Sequence, residues 1–206
     1  MTNNQEVEYI GELSDKQHNA LKAKFGKPIK TKRRISFMYF KNDIPSEFSQ
    51  AEDDGIDLRL RITNGEPELI LKQGSFTATH SRKETSIHFK VSEIQDYINL
   101  FAGLGWKIVV AYGAETSVYS YNGIEFSLIK IKDYGYNFEA EILTSEDKVE
   151  EAKKKIEAEL SILGLKPFDE QGLNKQCNAI NNEKELQFDF SKQQFKDIEA
   201  RFKEFL

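Results

Sequence analysis

Cysteine is nearly absent from this sequence, in which Cys177 is the only one. A single thiol excludes an internal disulfide and a zinc site built from cysteines, and it fits a reducing compartment. The sequence also lacks an apolar run of the roughly 20 residues that a membrane span requires. Its first residues, MTNNQEVEYIGEL, are polar and acidic, unlike those of a signal peptide. These absences predict a cytoplasmic protein without a membrane partner.

An excess of positive charge is absent as well, because the net charge of the chain is −5. A protein whose main ligand is nucleic acid neutralises phosphates with a basic surface. The sequence therefore predicts no nucleic-acid partner and leaves only a local anion site open. Its 206 residues suit one sizeable core. We expect a main domain over residues 1–165 and a helical extension, residues 166–206, packed on it.

Apolar and polar residues alternate with a period of two from residue 4 to residue 144, which is typical of antiparallel strands. Asn122-Gly123 is the preferred turn of a two-residue hairpin, and Gly135 is placed to turn the last hairpin. Residues 42–54 are predicted to form a loop. The eight predicted strands cover residues 4–12, 29–40, 55–63, 67–73, 79–90, 107–121, 123–132 and 136–143.

Helical periodicity interrupts the strands twice and dominates after residue 145. A serine three residues before a glutamine, the spacing of a capping box, begins the first two helices. The third has an apolar stripe and ends at Gly164. The predicted helices cover residues 14–25, 92–103, 145–164 and 169–181, and a last one begins at Ser191 with Gln194.

Several strands combine an apolar face with a charged one, because alternate residues of a strand point to opposite sides. Two glutamates share a face in EVEYI, and YNFEAEIL repeats that spacing. In DLRLRI, two arginines alternate with apolar residues. The charged residues predicted to line one common face are Glu6, Glu8, Arg59, Arg61, Lys72, Arg82, Glu84, Glu139 and Glu141.

An antiparallel sheet of eight strands must either expose its edges or close into a barrel. A closed barrel of this size encloses side chains or one small ligand. Since amphipathic helices need apolar surface, we expect the apolar faces outside, under the helices, and the charged faces inside. The predicted fold class is α+β: a closed or nearly closed eight-stranded antiparallel β-barrel, forming a charged tunnel, with helices packed outside.

The charged strands resemble those of the CYTH superfamily, the triphosphate tunnel metalloenzymes. EVEYI stands where this family has an N-terminal Glu-x-Glu-x-Lys signature, and DLRLRI is similar to its strand with two substrate arginines. LILKQG, SRKET and DYGYNFEAEIL resemble its lysine strand, its Arg-x-Glu strand and its final hairpin. The resemblance covers roughly residues 5 to 164. It implies a thiamine triphosphatase, an inorganic triphosphatase or a class IV adenylate cyclase.

Two positions depart from the family pattern. Ile10 stands where the signature has its lysine. Near FSLIKIKD an aspartate is expected, and Ile129 stands there, or Lys130 if the register shifts by one residue. These departures weaken the expectation of the usual chemistry.

The residue types also support a triphosphate site on physical grounds. A hard divalent cation, Mg²⁺ or Mn²⁺, takes carboxylate and phosphate oxygens as ligands. Arginine forks and a lysine suit the remaining phosphate oxygens. The predicted metal ligands are Glu6, Glu8, Glu84, Glu139 and Glu141, and the predicted substrate-binding residues are Arg59, Arg61, Lys72 and Arg82.

Three functions remain open from the sequence. The first is metal-dependent hydrolysis of a compound that contains a triphosphate. The second is binding of a polyphosphorylated ligand without turnover, and the third is a class IV adenylate cyclase. Alternating charges could also be cross-strand ion pairs on a half-exposed sheet. The partner expected in the first two cases is a small-molecule triphosphate or polyphosphate.

Overall fold

The structure, a computed structural model, describes residues 4–41, 43–45, 56–73 and 83–206. The side chains of Asn4, Lys83 and Glu84 lie outside this description. In chain order the elements are β1 (Asn4–Leu13), α1 (Asp15–Phe25), β2 (Lys30–Phe40), β3 (Ile56–Thr63), β4 (Glu66–Gln73), β5 (Lys83–His88), α2 (Ile94–Gly103), β6 (Ile108–Tyr121), β7 (Ile124–Ile131), β8 (Gly135–Ser145), α3 (Val149–Leu163), α4 (Glu170–Asn181), β9 (Gln187–Asp189) and α5 (Phe195–Glu199).

These residues form two compact units. Of the described residues, the first unit contains 4–31 and 115–173, and the second unit contains 32–41, 43–45, 56–73, 83–114 and 174–206. The first unit follows the strand order β1-β8-β7-β6, and the second follows β6-β2-β3-β4-β5 with β9 paired to β6. None of the helices among the described residues is long and apolar enough to cross a membrane.

The first unit buries the apolar faces of its strands under helices α1 and α3. Val7, Phe138 and Ala140 alternate with charged neighbours along antiparallel strands β1 and β8, and all three are buried. Ile156 of α3 packs against them in one core. Gly11 allows this close packing, since a Cβ there would lie 2.4 Å from the Phe138 ring. The other core residues are Tyr9, Leu13, Leu21, Tyr119, Ile124, Phe126, Leu128, Ala152, Leu160 and Leu165.

The second unit has a core of its own, on the apolar faces of β2, β3 and β6. Helix α2 contributes Ile98, and the backbone N–H of Phe195 at the start of α5 donates to Gln95 Oε1 at 2.9 Å. Gly113 is required here as well, because a Cβ would lie 2.4 Å from the Phe205 ring. The other core residues include Ile35, Phe37, Leu60, Ile62, Phe101, Val109, Phe188, Ile198 and Phe202.

The predicted fold class is confirmed: the protein is α+β, with an eight-stranded antiparallel sheet and helices on the apolar faces of its strands. Both predicted hairpin turns are present, with Asn122 and Gly123 at φ of 53° and 71°. The helix predicted over 145–164 spans Val149–Leu163 and ends at left-handed Gly164. Strand β9 was not predicted, because three residues are too short for a periodic pattern.

The last helix begins later than predicted. Ser191 lies in a turn, where its backbone N–H and hydroxyl both donate to Asp189 Oδ1, and Gln194 caps α5 instead. Much of the predicted loop 42–54 and part of the strand 79–90 lie outside the described residues. The domain boundary at residue 165 stays a prediction.

Candidate functional site

Carboxylates converge on the charged face of the first unit. Glu6 and Glu8 share one face of β1, and Glu8 lies directly opposite Glu141 on the antiparallel strand β8. Each of these three side chains offers an oxygen that lies within 4.8 Å of the other two. The structure therefore brings together three of the predicted glutamates. This convergence follows from strand alternation, since Val7 and Ala140 on the other face are fixed in the core.

The electrostatics of this cluster are unfavourable without a cation. Burial raises the pKa of Glu141 to about 8, with further increases from a hydrogen bond and charge repulsion with Glu6 and from the charges of Glu125 and Glu139. Glu139 thus acts on the cluster, although it is outside the group of three. A carboxyl that retains its proton near neutral pH marks a place where negative charge is in excess.

Glu125 is a site residue that the sequence analysis missed. It lies on β7 directly opposite Glu141. Its signal was available, because it alternates with buried Ile124 and Phe126 in the strand that follows the Asn122-Gly123 turn. The register of the β7–β8 hairpin was needed to place it beside Glu141.

The two departures from the family pattern lie on this same face. Ile10 is directly opposite Glu139, and Ile129 is opposite Asn137. Lys130 has the opposite parity, that of the buried residues Phe126 and Leu128. Of the two alternatives, Ile129 is the residue on the charged face, so two half-buried isoleucines lie among the carboxylates there.

The donor set of the first unit fits a hard divalent cation. Oxygens bound to one Mg²⁺ or Ca²⁺ lie at most about 4 to 5 Å apart, since each metal–oxygen bond is roughly 2.0 to 2.6 Å long. The oxygens of Glu6, Glu8 and Glu141, which lie within 4.8 Å of one another, fall at or below the upper end of this range. Ionic oxygens without histidine or thiolate among them favour Mg²⁺ or Mn²⁺ over softer metals.

The charged face of the second unit carries an arginine that is held by a carboxylate. Arg59 Nε donates to Asp57 Oδ1 at 2.7 Å, and Arg59 Nη2 donates to Asp57 Oδ2 at 2.6 Å. The side chains of Arg59 and Asp57 are only 12% and 16% exposed. Burial lowers the pKa of Arg59, but the charge and hydrogen bonds of Asp57 outweigh it, so the pKa is raised overall. Tyr112 and Cys177 lie within electrostatic range of the same guanidinium.

Asp57 was also missed from the sequence. It stands two residues before Arg59 in DLRLRI, so strand alternation places both on one face. The two alternating arginines indicated an anion site, but nothing in the sequence indicated a role for the acid that precedes them.

Of the other predicted phosphate-binding residues, Arg61 and Lys72 belong to the part of the chain that the structure describes. Arg61 shares the face of Arg59 and lies opposite Glu68 of β4, and Lys72 lies opposite Asp57. The backbone of Glu84 pairs with Lys72, but its side chain lies outside the described residues, as does all of Arg82. The structure therefore brings Arg59, Arg61 and Lys72 onto one face of β3 and β4.

Comparison with known proteins places this geometry in a family. The sequence model of the CYTH domain matches residues 4–171. No curated protein matches the sequence. Among solved structures, one from Pyrococcus horikoshii OT3 superposes with a TM-score of 0.62 at 24% identity, over 82% of this chain and 99% of that chain.

Two further structures share the fold. The chain is similar to a putative adenylyl cyclase from Hippeastrum with a dominant triphosphatase activity, with a TM-score of 0.59 and 17% identity over 82% of this chain and 91% of that chain. It is also similar to a putative adenylate cyclase from Bacillus halodurans, with a TM-score of 0.57 and 17% identity over 82% of this chain and 94% of that chain. At these identities the likeness shows the fold.

Proposed function

This chain belongs to the CYTH domain family, and from that premise we propose that it is a divalent-metal-dependent hydrolase of a compound that contains a triphosphate. The observation that carries the proposal is the convergence of Glu6, Glu8 and Glu141, whose oxygens lie within 4.8 Å of one another. A small-molecule substrate and a cytoplasmic location are part of the proposal.

In this proposal the carboxylates of the first unit hold the cation. Glu141, whose pKa is raised to about 8, would have to be ionised to serve as a ligand of the cation. Glu125 and Glu139 add negative charge around it. A bound Mg²⁺ or Mn²⁺ supplies charge neutralisation for a phosphate and orients a water for attack.

The second unit offers basic residues of the types that bind phosphate. Arg59 and Arg61 offer planar forks that match two phosphate oxygens, and Lys72 offers a point charge. Phosphoryl transfer requires mostly positioning and charge neutralisation, which are the contributions that these groups can make. Arg82 and Glu84 keep their proposed roles in substrate and metal binding.

A second candidate is a tunnel protein that binds a polyphosphorylated ligand without turnover. Ile10 and Ile129 support it, because two apolar side chains occupy the charged face opposite Glu139 and Asn137. A lysine and an aspartate there would add a phosphate contact and a metal ligand. Their absence leaves the binding groups intact and lowers the catalytic potential.

Release of phosphate separates these candidates. Tripolyphosphate, ATP and thiamine triphosphate are each incubated with Mg²⁺ or Mn²⁺, with EDTA as the metal-free control, and cyclic AMP is measured in the ATP reaction. If the protein is a metal-dependent hydrolase, phosphate is released in the presence of Mg²⁺ or Mn²⁺ and EDTA prevents this release. Metal-dependent formation of cyclic AMP would contradict the hydrolase in favour of a cyclase, and ligand binding without any product would favour the binding protein.

A further inference from the structure

The guanidinium of Arg59 already donates two hydrogen bonds to a carboxylate in the protein without substrate. Asp57 accepts two parallel hydrogen bonds from it, at 2.7 and 2.6 Å. A phosphate group takes the same pair of hydrogen bonds from a guanidinium. The carboxylate of Asp57 therefore stands where two phosphate oxygens of a ligand would bind.

An enclosed arginine needs such a partner when no ligand is present. With the Arg59 side chain only 12% exposed, water screens its charge poorly, and an unpaired charge there would be costly. Asp57 is well placed to supply the counter-charge and also to withdraw. It lies two residues away on the same strand, and Lys72 lies directly opposite it on β4, so a cation is at hand when Asp57 leaves Arg59.

We propose that Asp57 is a placeholder for substrate phosphate, which neutralises Arg59 in the free protein and moves toward Lys72 when a phosphate takes the Arg59 fork. This inference rests on the proposed function and deepens it. The exchange makes Asp57 a specificity residue: an anion displaces it only if it offers two oxygens and more negative charge than a carboxylate. Polyphosphates meet this condition, whereas chloride and simple carboxylic acids do not.

A different role for Asp57 would be to orient Arg59 permanently toward the substrate. The two roles predict changes of opposite sign. A placeholder competes with the ligand, so its removal strengthens phosphate binding. An orienting residue assists the ligand, so its removal weakens phosphate binding.

The test is calorimetric titration with tripolyphosphate at saturating Mg²⁺, together with thermal unfolding of the ligand-free protein. Wild type is compared with Asp57→Asn, with Asp57→Ser as a second variant, and with Glu66→Gln as the matched control. Glu66 lies on β4, on the same face of the sheet as Asp57, and it is exposed and carries the same charge as Asp57. Asp57→Asn is expected to bind tripolyphosphate about tenfold more tightly and to unfold at a lower temperature, while Glu66→Gln changes both values little.

A folded Asp57→Asn variant that binds tripolyphosphate no more tightly than wild type overturns the placeholder and leaves the proposed function standing. An equal gain in Glu66→Gln also overturns it, since the effect would then be one of net charge. In an Arg59→Ala background, Asp57→Asn should lose its advantage, because the placeholder acts through Arg59. If neither wild type nor any variant binds tripolyphosphate, the proposed function fails and the inference fails with it.

Discussion

The two units of this protein pack their strands in the same way but differ in their charged faces: one has a cluster of carboxylates and the other has an ion pair. Each buries the apolar faces of its strands under helices and keeps charged residues on the other face. In the first unit burial and three other glutamates raise the pKa of Glu141. In the second unit Arg59 is matched by Asp57 in a two-bond ion pair.

The difference indicates what each unit is prepared to bind. Like charges brought together by the fold are relieved by a cation, so the first unit favours a metal. A guanidinium held by a carboxylate is already neutralised, so in our proposal an anion binds to the second unit only by displacing that carboxylate. Folding stability follows the same division: the carboxylate cluster opposes folding at alkaline pH, while the ion pair supports it.

The largest expected effect comes from breaking the ion pair of the second unit. Arg59→Ala removes both charge-assisted hydrogen bonds to Asp57, each of which contributes about 1.5 to 3 kcal/mol, so it should lower the free energy of unfolding by about 3 to 5 kcal/mol. Urea denaturation measures this change. The double variant Arg59→Met with Asp57→Ala should regain most of the loss, because the largely buried carboxylate is removed together with the guanidinium. A double variant as unstable as Arg59→Ala would show that lost packing, rather than charge, is the cause.

Removing the carboxylates of the first unit should affect metal binding instead. Groups that merely support metal ligands already change metal affinity by about 10- to 100-fold, so loss of two direct ligands should exceed about 100-fold. We therefore expect Glu6→Gln with Glu141→Gln to abolish measurable Mg²⁺ binding without loss of stability. Glu12→Gln, on the same face of β1, is the control and should bind Mg²⁺ nearly as wild type does. Equal losses in both variants would contradict a defined site.

The pH dependence should distinguish the first unit as well. The pKa of Glu141 in the folded protein, about 8, exceeds its ordinary value of 4.5, so folding takes up a proton. The stability due to that proton is fully present below pH 4.5 and is lost as the pH rises through 8. Mg²⁺ competes with the proton, so its affinity should rise with pH by up to about tenfold per unit until the carboxyl is ionised.

Glu141→Gln is the control for this pH dependence. It should flatten the rise in Mg²⁺ affinity and make the metal-free protein more stable than wild type above pH 8. Urea denaturation between pH 5 and 9, without metal, measures the second effect. A wild-type stability that increases with pH across this window would contradict a raised pKa at Glu141.

The smallest expected effect concerns the isoleucines. Ile10→Lys would place a cation opposite Glu139, and Ile129→Asp would add a carboxylate on β7. If the family comparison is correctly aligned, the pair should raise triphosphate turnover severalfold. Ile10→Leu with Ile129→Leu is the apolar control. Turnover that stays at the control level would show that these positions do not limit catalysis.

Strand alternation predicted much of the fold and of the acid site. Glu6, Glu8 and Glu141 could be assigned to one face because Val7 and Ala140 had to be buried. The helices on the apolar faces followed from their own stripes, such as Ile156 of α3. These inferences needed only local periodicity.

The missed residues needed pairing information that local periodicity lacks. Glu125 joins the acid cluster only because the register of the β7–β8 hairpin places it opposite Glu141. Asp57 shares the face of Arg59, but only the side-chain geometry shows that it occupies the guanidinium fork. The late start of α5 depended on Asp189, whose side chain holds Ser191 in a turn.

The central claim is that this protein binds a divalent cation and a triphosphate as coupled ligands, and calorimetric titration of tripolyphosphate with and without Mg²⁺ tests it most directly. The account predicts that Mg²⁺ strengthens tripolyphosphate binding, with a coupling of about 1 to 3 kcal/mol. Arg59→Ala should weaken binding in both conditions, whereas Glu139→Gln with Glu141→Gln should remove the benefit of Mg²⁺. Absence of tripolyphosphate binding in both conditions, by protein that circular dichroism shows to be folded, would contradict the account.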